Sequence, residues 1–167
     1  MESIYKSDVI IVGSGIAGLM LAISLYPRKV TLVTKKNLGE MSSSAWAQGG
    51  IAAAVGKDDN PNIHFKDTIE ASSGLNNEEA VRLITKEAPE IVKFLEKINI
   101  QFDRNDDKEF LLSIEAAHSK RRVLKINGDQ SGKFIVQKLI TYAKLQEHIT
   151  FLENVSIDHI VQNENKC

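Results

Sequence analysis

The apolar and polar residues at the start of the chain follow first a strand pattern and then a helical one. An apolar run at 8–12 predicts a buried strand, and apolar positions at helical spacing across 16–25 predict a helix. A second apolar run at 30–33 follows the turn residue Pro27 and predicts another strand. The chain therefore begins with a β-α-β unit, a connection that is right-handed in nearly all proteins.

Longer helical patterns occupy the middle and the end of the chain, at 62–74, 77–98 and 133–146. In the first, His64 is predicted to be a cap or surface residue, and in the last Ser131 is the predicted cap and Leu145 is predicted to be buried. Pro89 in the middle segment predicts a kink or two abutting helices, because proline interrupts an interior helix. The predicted apolar stripe of that segment consists of Ala80, Leu83, Ile84, Ala88, Ile91, Leu95 and Ile98.

Short apolar runs predict further strands at 110–114, 123–126, 149–152 and 156–161. The charged segment 103–109 predicts a solvated hairpin tip. It lacks the glycine and the terminal glutamate that an EF-hand needs at set positions, so no metal site is expected. These elements predict an α/β fold with a β-α-β start, a helical insertion and a β-hairpin.

Composition narrows the function classes. The 167 residues suit one domain, and 21 Lys and Arg against 22 Asp and Glu give a net charge of −1, which favours neither nucleic acid nor an anionic membrane surface. The single cysteine, Cys167, excludes a disulfide within the chain and a CxxC site. No signal-peptide core or membrane-length apolar run is present, so a cytoplasmic protein is predicted.

The segment between the first strand and the first helix carries three glycines, Gly13, Gly15 and Gly18, in a GxGxxG pattern. In such a Rossmann-like turn the first glycine permits the tight turn, the second lets the backbone approach a pyrophosphate, and the third lets the helix pack against the strand. The phosphates then lie at the helix N-terminus. The pattern predicts a dinucleotide site, although ordinary turn glycines are the alternative.

The end of the second strand bears on the type of dinucleotide. An NAD site has a carboxylate there for the ribose hydroxyls, whereas this chain has Thr34, Lys35 and Lys36. Two interpretations stay open. One is an NADP site with Lys35 or Lys36 on the extra phosphate, and the other is a flavin site with different ribose contacts.

Two further stretches are candidates for ligand contact. The first, SSSAWAQGGIAAAV at 42–55, offers serine hydroxyls and the backbone N–H groups around Gly49 and Gly50, which can donate to a phosphate or a ring. A flexible serine linker is the alternative, but the ordered second half of the stretch favours a site. The second is a polar cluster that composition alone assigns to a solvated surface: Glu115, His118, Ser119, Lys120, Arg121 and Arg122.

Three motifs in this order, DVIIVGSGIAGL, SSSAWAQGGIAAAV and IEAAHSKRRVLKINGDQSG, resemble the N-terminal part of the L-aspartate oxidase family. That family belongs to the fumarate reductase and succinate dehydrogenase flavoprotein superfamily, and the resemblance covers essentially the whole chain. Its members continue into a capping domain and a final FAD-binding segment. The resemblance therefore implies that 1–167 is the N-terminal portion of an FAD-binding domain, without those two parts.

The resemblance implies noncovalent FAD. In the membrane-bound relatives a histidine carries the covalent flavin link, and Ser43 stands at that place here. The implied pyrophosphate contacts are Gly13, Ser14, Gly15, Ile16, Ala17 and Gly18. Lys35 matches the family's lysine after the second strand, and Ile157 falls at the adenine contact. The implied flavin contacts are Ser43, Ser44, Ala45, Trp46, Ala47, Gln48, Gly49 and Gly50.

Glu115 matches the glutamate that orients the substrate in this family, within an EXXHSXXR pattern that ends at Arg122. The chain also departs from the family pattern. Ala116 and Ala117 replace the usual glycine pair, which implies a narrower backbone approach to substrate or flavin. Lys125 stands in place of a histidine, in a stretch that also replaces small residues.

The implied reaction passes a hydride from the Cα of L-aspartate to FAD and gives iminoaspartate for NAD biosynthesis, with oxygen or fumarate as the final acceptor. The absent parts would contribute the arginines that clamp the substrate carboxylates, so the chain alone is expected to be inactive or nearly so. Two alternatives remain. One is an NADP-binding dehydrogenase module, and the other is a non-catalytic fragment or half of a two-chain assembly whose partner chain supplies the cap.

Overall fold

The computed structural model describes residues 5–40 and 42–162, and within them it contains five strands, four α-helices and a short 3₁₀ helix at Ser43–Trp46. The predicted α/β fold class is confirmed. None of these helices is long and apolar enough to span a membrane. The elements in chain order are β1 (Val9–Val12), α1 (Ile16–Ser24), β2 (Val30–Thr34), β3 (Ile51–Ala52), α2 (Pro61–Ala71), α3 (Glu78–Lys97), β4 (Val123–Leu124), α4 (Ser131–Ala143) and β5 (Ile149–Glu153).

The chain forms two compact units. The described residues before Ala47 and after Ile135 make up the first, called the sheet unit. Residues 47–135 make up the second, called the inserted unit. The sheet unit contains β1, β2 and β5, and the inserted unit contains β3, β4, α2 and α3.

The sheet unit is built on a parallel sheet in the order β1-β2-β5. Val9 lies beside Val30, and Val30 lies beside Ile149, so β2 is the central strand. All five residues of β2 are buried, as its β-branched and apolar sequence favours in a parallel sheet. α1 buries Leu19 and Ala22 in the core. The predicted β-α-β start is thus present with nearly the predicted bounds.

Two expectations about the end of the chain are wrong. The segment 156–161 is not a strand, because after β5 the chain turns at Asn154, with φ +60°, and crosses the end of β2, where Val155 N donates to Thr34 O at 3.1 Å. Leu145 is 75% exposed, because α4 ends at Ala143 instead of continuing to 146.

The inserted unit packs α2 against α3 and contains a short antiparallel ladder in which Ile51 lies opposite Leu124. Both helices have asparagine caps. The side chain of Asn60 accepts from the backbone N–H of Asn62 and Ile63, and Asn77 accepts from that of Ala80. Such caps satisfy N–H groups that have no partner within the helix.

α3 runs unbroken through Pro89, so of the two predicted alternatives the pair of abutting helices is wrong and the kink stays a prediction. The predicted apolar stripe is also displaced, since Leu83 and Ile84 are exposed. A helix buries one face against its neighbours, and here that face includes a polar residue, Thr85, whose hydroxyl donates to Val81 O at 2.9 Å. The residues that α3 buries are Val81, Thr85, Val92 and Leu95.

The predicted hairpin is much shorter than expected. Segment 110–114 forms isolated bridges instead of a strand, at Arg104 with Phe110 and at Ser113 with Val123. Leu111 and Ile114 are exposed, so the apolar run does not mark a buried strand. The charged turn is closed by a bond from Asn105 N to Glu109 O at 2.9 Å.

Candidate functional site

A cavity of about 650 Å³ opens in the sheet unit at the carboxyl ends of β1 and β2. This edge is where nucleotides bind in open parallel sheets. Among the predicted cofactor contacts, the cavity is lined by Gly13, Ser14, Gly15, Lys35, Ser43 and Ile157. Residues that were not among those predicted contacts also line it: Val12, Val33, Thr34, Lys36, Glu40, Ser42, Val155 and Ser156.

The three glycines of the first turn have different structural reasons. Gly13 has φ +104°, a conformation that side chains rarely adopt, and its N–H donates to Val33 O at 2.8 Å. A Cβ on Gly18 would stand 2.1 Å from the carbonyl oxygen of Gly13, so the helix approaches the strand only because this residue is glycine. A Cβ on Gly15 would meet the hydroxyl of Ser44 at a tolerable 3.3 Å. The fold therefore requires Gly13 and Gly18 more strictly than Gly15.

The N-terminus of α1 faces Ser42, Ser43 and Ser44, which are called the serine segment. Gly15 is its N-cap residue, and the first turn contains no acidic side chain. The N–H of Ile16 donates to Ser44 Oγ at 3.2 Å. The structure thus brings the glycine turn and the serine segment, which are nearly thirty residues apart, into direct contact. The uncompensated positive end of the helix dipole favours an anion at this point.

Ser14 fixes the turn to the neighbouring strand. It is buried, its hydroxyl shares a hydrogen bond with Thr34 Oγ1 at 3.0 Å, and it accepts from the N–H of Gly39 at 3.1 Å. Gly39 itself has φ +79° and packs against α4. These bonds hold the floor of the cavity at the end of β2.

Glu40 is the carboxylate that the sequence analysis did not find near the end of β2. It lies six residues after Thr34 and lines the cavity. A turn returns it there, in which Glu40 N donates to Asn37 O at 3.0 Å and the amide of Asn37 donates to Glu40 Oε1 at 2.9 Å. The turn signal of Asn37 followed by Gly39 was available in the sequence.

The second half of the serine and glycine stretch belongs to the inserted unit. A Cβ on Gly50 would stand 2.2 Å from Leu124 O, so this glycine allows close packing on β4. Around Gly49, by contrast, a Cβ would meet nothing within 4 Å. Ala47 O accepts from Gly132 N at 3.1 Å, and Trp46, the last residue of the stretch in the sheet unit, is 80% exposed. Fold packing accounts for Gly50 and leaves Gly49 unexplained.

Arg122 is fully buried in the inserted unit, so its assignment to a solvated surface is wrong. Its guanidinium forms two bonds to Asp59, from Nε to Oδ2 at 2.9 Å and from Nη2 to Oδ1 at 3.0 Å. Its Nη1 donates to Asp67 Oδ2 at 2.7 Å. Both carboxylates precede Arg122 by more than fifty residues, and no spacing rule in the sequence connects them to it.

Asp67 carries a lowered pKa. Burial alone would raise it, but the hydrogen bonds from Ser119 and Arg122 outweigh that cost and hold the pKa of this carboxyl below its usual range. The buried guanidinium therefore faces an ionised Asp67, and a buried charge is tolerated where it is paired in this way.

His64 is buried on α2, so its prediction as a cap or surface residue is wrong. Its Nδ1 has no hydrogen-bond partner among the described residues, and its ring meets that of His118 edge to face at 5.5 Å between centroids. Burial, and then the charge of Arg122 and the ring of His118, lower the pKa of His64 below 6.5. The imidazole is therefore neutral at pH 7.

Similarly, Ser131 is not an N-cap, because it is the first residue of α4 and its hydroxyl accepts from the N–H of Ile126 at 3.1 Å.

Glu115 has a half-exposed side chain and forms an ion pair with Lys125 at 3.7 Å. Ala117, two residues further, has φ +68°, the left-handed conformation that glycine adopts freely. The two departures from the expected family pattern, the alanine pair at 116 and 117 and Lys125, thus both lie next to Glu115.

Comparison with known proteins gives a consistent result. The family model of an FAD binding domain matches residues 8–167. The L-aspartate oxidase of Agrobacterium fabrum is 43% identical over 156 residues, covering 93% of this chain and 30% of that protein. That of Saccharolobus solfataricus is 45% identical over 138 residues, covering 81% of this chain and 27% of that protein. The chain spans less than a third of the length of these curated relatives.

Solved structures are similar over nearly the whole chain. Mycobacterium smegmatis Sdh1 in complex with UQ1 has a TM-score of 0.86 at 28% identity, covering 96% of this chain and 29% of that one. A variant of E. coli quinol fumarate reductase FrdA has a TM-score of 0.84 at 23% identity, covering 90% of this chain and 26% of that one. The second likeness concerns the fold alone.

Proposed function

Since the chain belongs to the FAD binding domain family, within the fumarate reductase and succinate dehydrogenase flavoprotein superfamily, we propose that it forms the nucleotide-binding part of an L-aspartate oxidase. The predicted cofactor, FAD, is confirmed by this membership, and the NADP alternative is set aside. The relatives' names support an FAD-dependent oxidoreductase. L-Aspartate as the substrate is the finer part of the proposal.

One observation supports the FAD site above all others, namely the meeting of the glycine turn and the serine segment at the N-terminus of α1. Gly15 places no side chain there, and no acid in the first turn repels a diphosphate. These residues fit the group. In the proposed arrangement the N–H groups of 14–17 and the hydroxyls of Ser43 and Ser44 hold the diphosphate, without a covalent flavin link.

The adenosine side of the cofactor is proposed to lie towards the end of β2. Glu40 offers a carboxylate for ribose hydroxyls, while Lys35 and Lys36 offer positive charge at the same wall of the cavity. Ile157 offers an apolar surface suited to a base. We assign the flavin end to residues 45–50, where Gly49 leaves open space.

FAD supplies the ring that accepts the hydride from the substrate. In the proposed reaction the Glu115 carboxylate binds the ammonium group of L-aspartate and orients its Cα. The ammonium group loses one proton as the hydride leaves Cα, so the product is iminoaspartate, and oxygen or fumarate takes the two electrons and two protons. The arginines for the substrate carboxylates are proposed to come from parts of the protein outside these 167 residues, in the same polypeptide or in a partner chain.

The cofactor proposal is tested by titrating the 167-residue chain with FAD and, separately, with NADPH. We expect a yellow protein that retains FAD through gel filtration, releases it on denaturation and does not retain NADPH. Tighter binding of NADPH than of FAD would contradict the proposal. Under anaerobic conditions L-aspartate is expected to leave the flavin of this chain oxidised. Clear bleaching would contradict the expected inactivity of the chain, but not the proposal that it binds FAD.

The substrate proposal needs the remaining part of the enzyme. We suggest a chimera in which this chain replaces the matching 156 residues of the Agrobacterium fabrum relative. The chimera is expected to show flavin bleaching by L-aspartate under anaerobic conditions, and Glu115→Gln, which loses the charge that orients the substrate, is expected to reduce its rate by about a hundredfold. A chimera that binds FAD but is not reduced by L-aspartate would refute the substrate assignment.

A further inference from the structure

We infer that Asp67, Ser119 and Arg122 are positioning residues, which hold the turn at 115–119 and thereby fix the place of the Glu115 carboxylate. This inference rests on the proposed function, because it gives a support to the residue proposed to orient the substrate. The inference gives Ser119 and Arg122, two members of the EXXHSXXR pattern, the task of holding the turn and not of contacting the substrate.

The turn has little to hold it at its exposed end. Glu115, Ala116 and Ala117 are all exposed, and the Glu115 carboxylate has one ion pair within the described part of the chain, with Lys125 at 3.7 Å. Ala117 adopts φ +68°, which is unfavourable for a residue with a Cβ. An exposed turn with an unfavourable backbone conformation keeps one shape only if its surroundings impose that shape.

Asp67 holds the far end of the turn in a single conformation. A single oxygen, Oδ2, accepts from Ser119 N at 2.9 Å, from Ser119 Oγ at 2.8 Å and from Arg122 Nη1 at 2.7 Å. Asp67 lies on α2 and is itself buried, so the two bonds from Ser119 attach the turn to a helix. Within the turn, His118 N donates to Glu115 O at 3.2 Å and carries the constraint back to Glu115.

Arg122 closes the base of the same loop. Its backbone N–H donates to Ser113 O at 3.1 Å, and the neighbouring Val123 exchanges backbone bonds with Ser113. Its guanidinium is fixed by two bonds to Asp59, and its Nη1 lies 3.4 Å from His118 Nδ1. The loop from Ser113 to Arg122 is therefore closed at its base and pinned near its middle, while Glu115 projects from the part between.

The energetics favour a positioning role over a purely stabilising one. A buried ion pair contributes little net stability compared with apolar residues that fill the same space, because its charges must leave water. What such a network provides is a fixed geometry with strong angular preferences, above all where arginine meets a carboxylate through two bonds. Here the network of fixed hydrogen bonds includes Ser119, which belongs to the turn that carries Glu115.

The first test uses hydrogen exchange in the FAD-loaded 167-residue chain. Ser119→Ala removes one of the three bonds to Asp67 and is expected to raise exchange of the amides at 115–119 about fivefold, with no change in peptides of β1, β2 and β5. Ser119→Thr retains the hydroxyl and is expected to restore protection. Ser72→Ala is the control, because the hydroxyl of Ser72 bonds only the helix carbonyl of Ile69 among the described residues. Unchanged exchange at 115–119, or an equal rise throughout the chain, would overturn the inference.

The second test measures the consequence for substrate in the chimera. Ser119→Ala is expected to weaken L-aspartate binding or slow flavin reduction about fivefold while FAD affinity stays the same, and Ser119→Thr is expected to recover both values. Ser119→Cys, which leaves only a weak donor at this position and keeps the Asp67–Arg122 pair, is a second variant in case Ser119→Ala fails to fold. A loosened turn with unchanged aspartate kinetics would overturn the positioning of Glu115.

The two tests separate the inference from the function on which it rests. If the wild-type chimera binds FAD but does not respond to L-aspartate, the proposed function fails, and so does the substrate part of the inference. Exchange at 115–119 that responds to Ser119→Ala in the same protein would still support the attachment of the turn to Asp67.

Discussion

Gly18 packs so closely on the carbonyl oxygen of Gly13 that a Cβ on Gly18 would stand 2.1 Å from that oxygen. Gly18→Ala therefore forces the helix away from the strand and is expected to destabilise the chain by about 3 kcal/mol. The measurement is urea unfolding of the protein without FAD. Unchanged stability would contradict the packing described for this turn.

Gly15→Ala is the matched substitution in the same turn, and it is expected to leave stability nearly unchanged and to lower FAD affinity instead. The added Cβ meets the side-chain hydroxyl of Ser44 at 3.3 Å, which a small side-chain shift relieves, and Ser42 Cβ at an ordinary 3.9 Å. The backbone of Gly15 is extended, so the unfolding curve should be nearly unchanged. It also occupies the side from which a diphosphate would approach, so FAD affinity should fall about tenfold. Unchanged FAD affinity measured by titration would place the diphosphate elsewhere.

Gly49 and Gly50 offer a second matched pair. Gly50→Ala would place a Cβ 2.2 Å from Leu124 O and is expected to lower stability, again by about 3 kcal/mol. Gly49→Ala enters open space and should leave stability unchanged, yet weaken FAD if the flavin lies against this loop. Thermal melts with and without FAD measure both effects. Equal FAD affinity in Gly49→Ala and the wild type would remove Gly49 from the proposed site.

How far the sequence predicts this molecule depends on whether the deciding contacts are local. The β-α-β start was predictable because its strand, glycine turn and helix are consecutive, and each carries its own pattern. The segment at 156–161 has an equally good strand pattern, but a strand forms only where the chain runs alongside another strand, and no local pattern reports that the chain turns at Asn154. The buried face of α3 likewise depends on where α2 packs, so Thr85 is buried and Leu83 is exposed.

The candidate sites follow the same division. The glycine turn and the serine segment were recognisable as motifs, while their meeting through Ile16 and Ser44 required the folded chain. The sequence assigns Arg122 to a charged surface run, because its partners, Asp59 and Asp67, lie far away in sequence. Glu40 was missed because the expected position for a carboxylate was the strand end itself, not the turn that follows.

Ala117 predicts a stabilising substitution. Its φ of +68° is unfavourable for alanine and ordinary for glycine, so Ala117→Gly is expected to stabilise the chain by about 0.5–1 kcal/mol despite the greater freedom of glycine in the unfolded state. The measurement is the urea midpoint. Ala116→Gly is the control, since Ala116 does not have a positive φ, and it should bring no gain. Equal effects of the two substitutions would contradict the conformation described for this turn.

His64 predicts a pH dependence of stability. Its pKa is lowered in the folded chain, so below pH 6.5 the unfolded chain takes up a proton that the folded chain resists. Stability is therefore expected to fall as the pH drops from 6.5 towards the lowered pKa, and this contribution then levels off. His64→Phe should flatten this region of the profile measured by urea unfolding, whereas His159→Gln, at an exposed position, should not. An unaltered profile in His64→Phe would contradict the assignment.

Lys125 lies 3.7 Å from the Glu115 carboxylate, which in the proposed function also receives the substrate ammonium. The two cations compete for the same oxygens, so Lys125→Met is expected to strengthen L-aspartate binding. Because both side chains are partly exposed, the gain is modest, about two- to fivefold. The measurement is the KM of the chimera for L-aspartate, with Lys138→Met on the exposed side of α4 as the control.

The direction in which KM changes distinguishes two roles of Lys125, competition with the substrate ammonium and binding of a substrate carboxylate. If it competes with substrate, its removal lowers KM, and raising the salt concentration narrows the difference from the wild type because a partly exposed ion pair is screened. If instead it binds a substrate carboxylate, its removal raises KM, and Lys125→Arg retains binding where Lys125→Met does not. A raised KM would therefore refute the competition, and it would assign to this chain a positive charge that the proposed function places outside it.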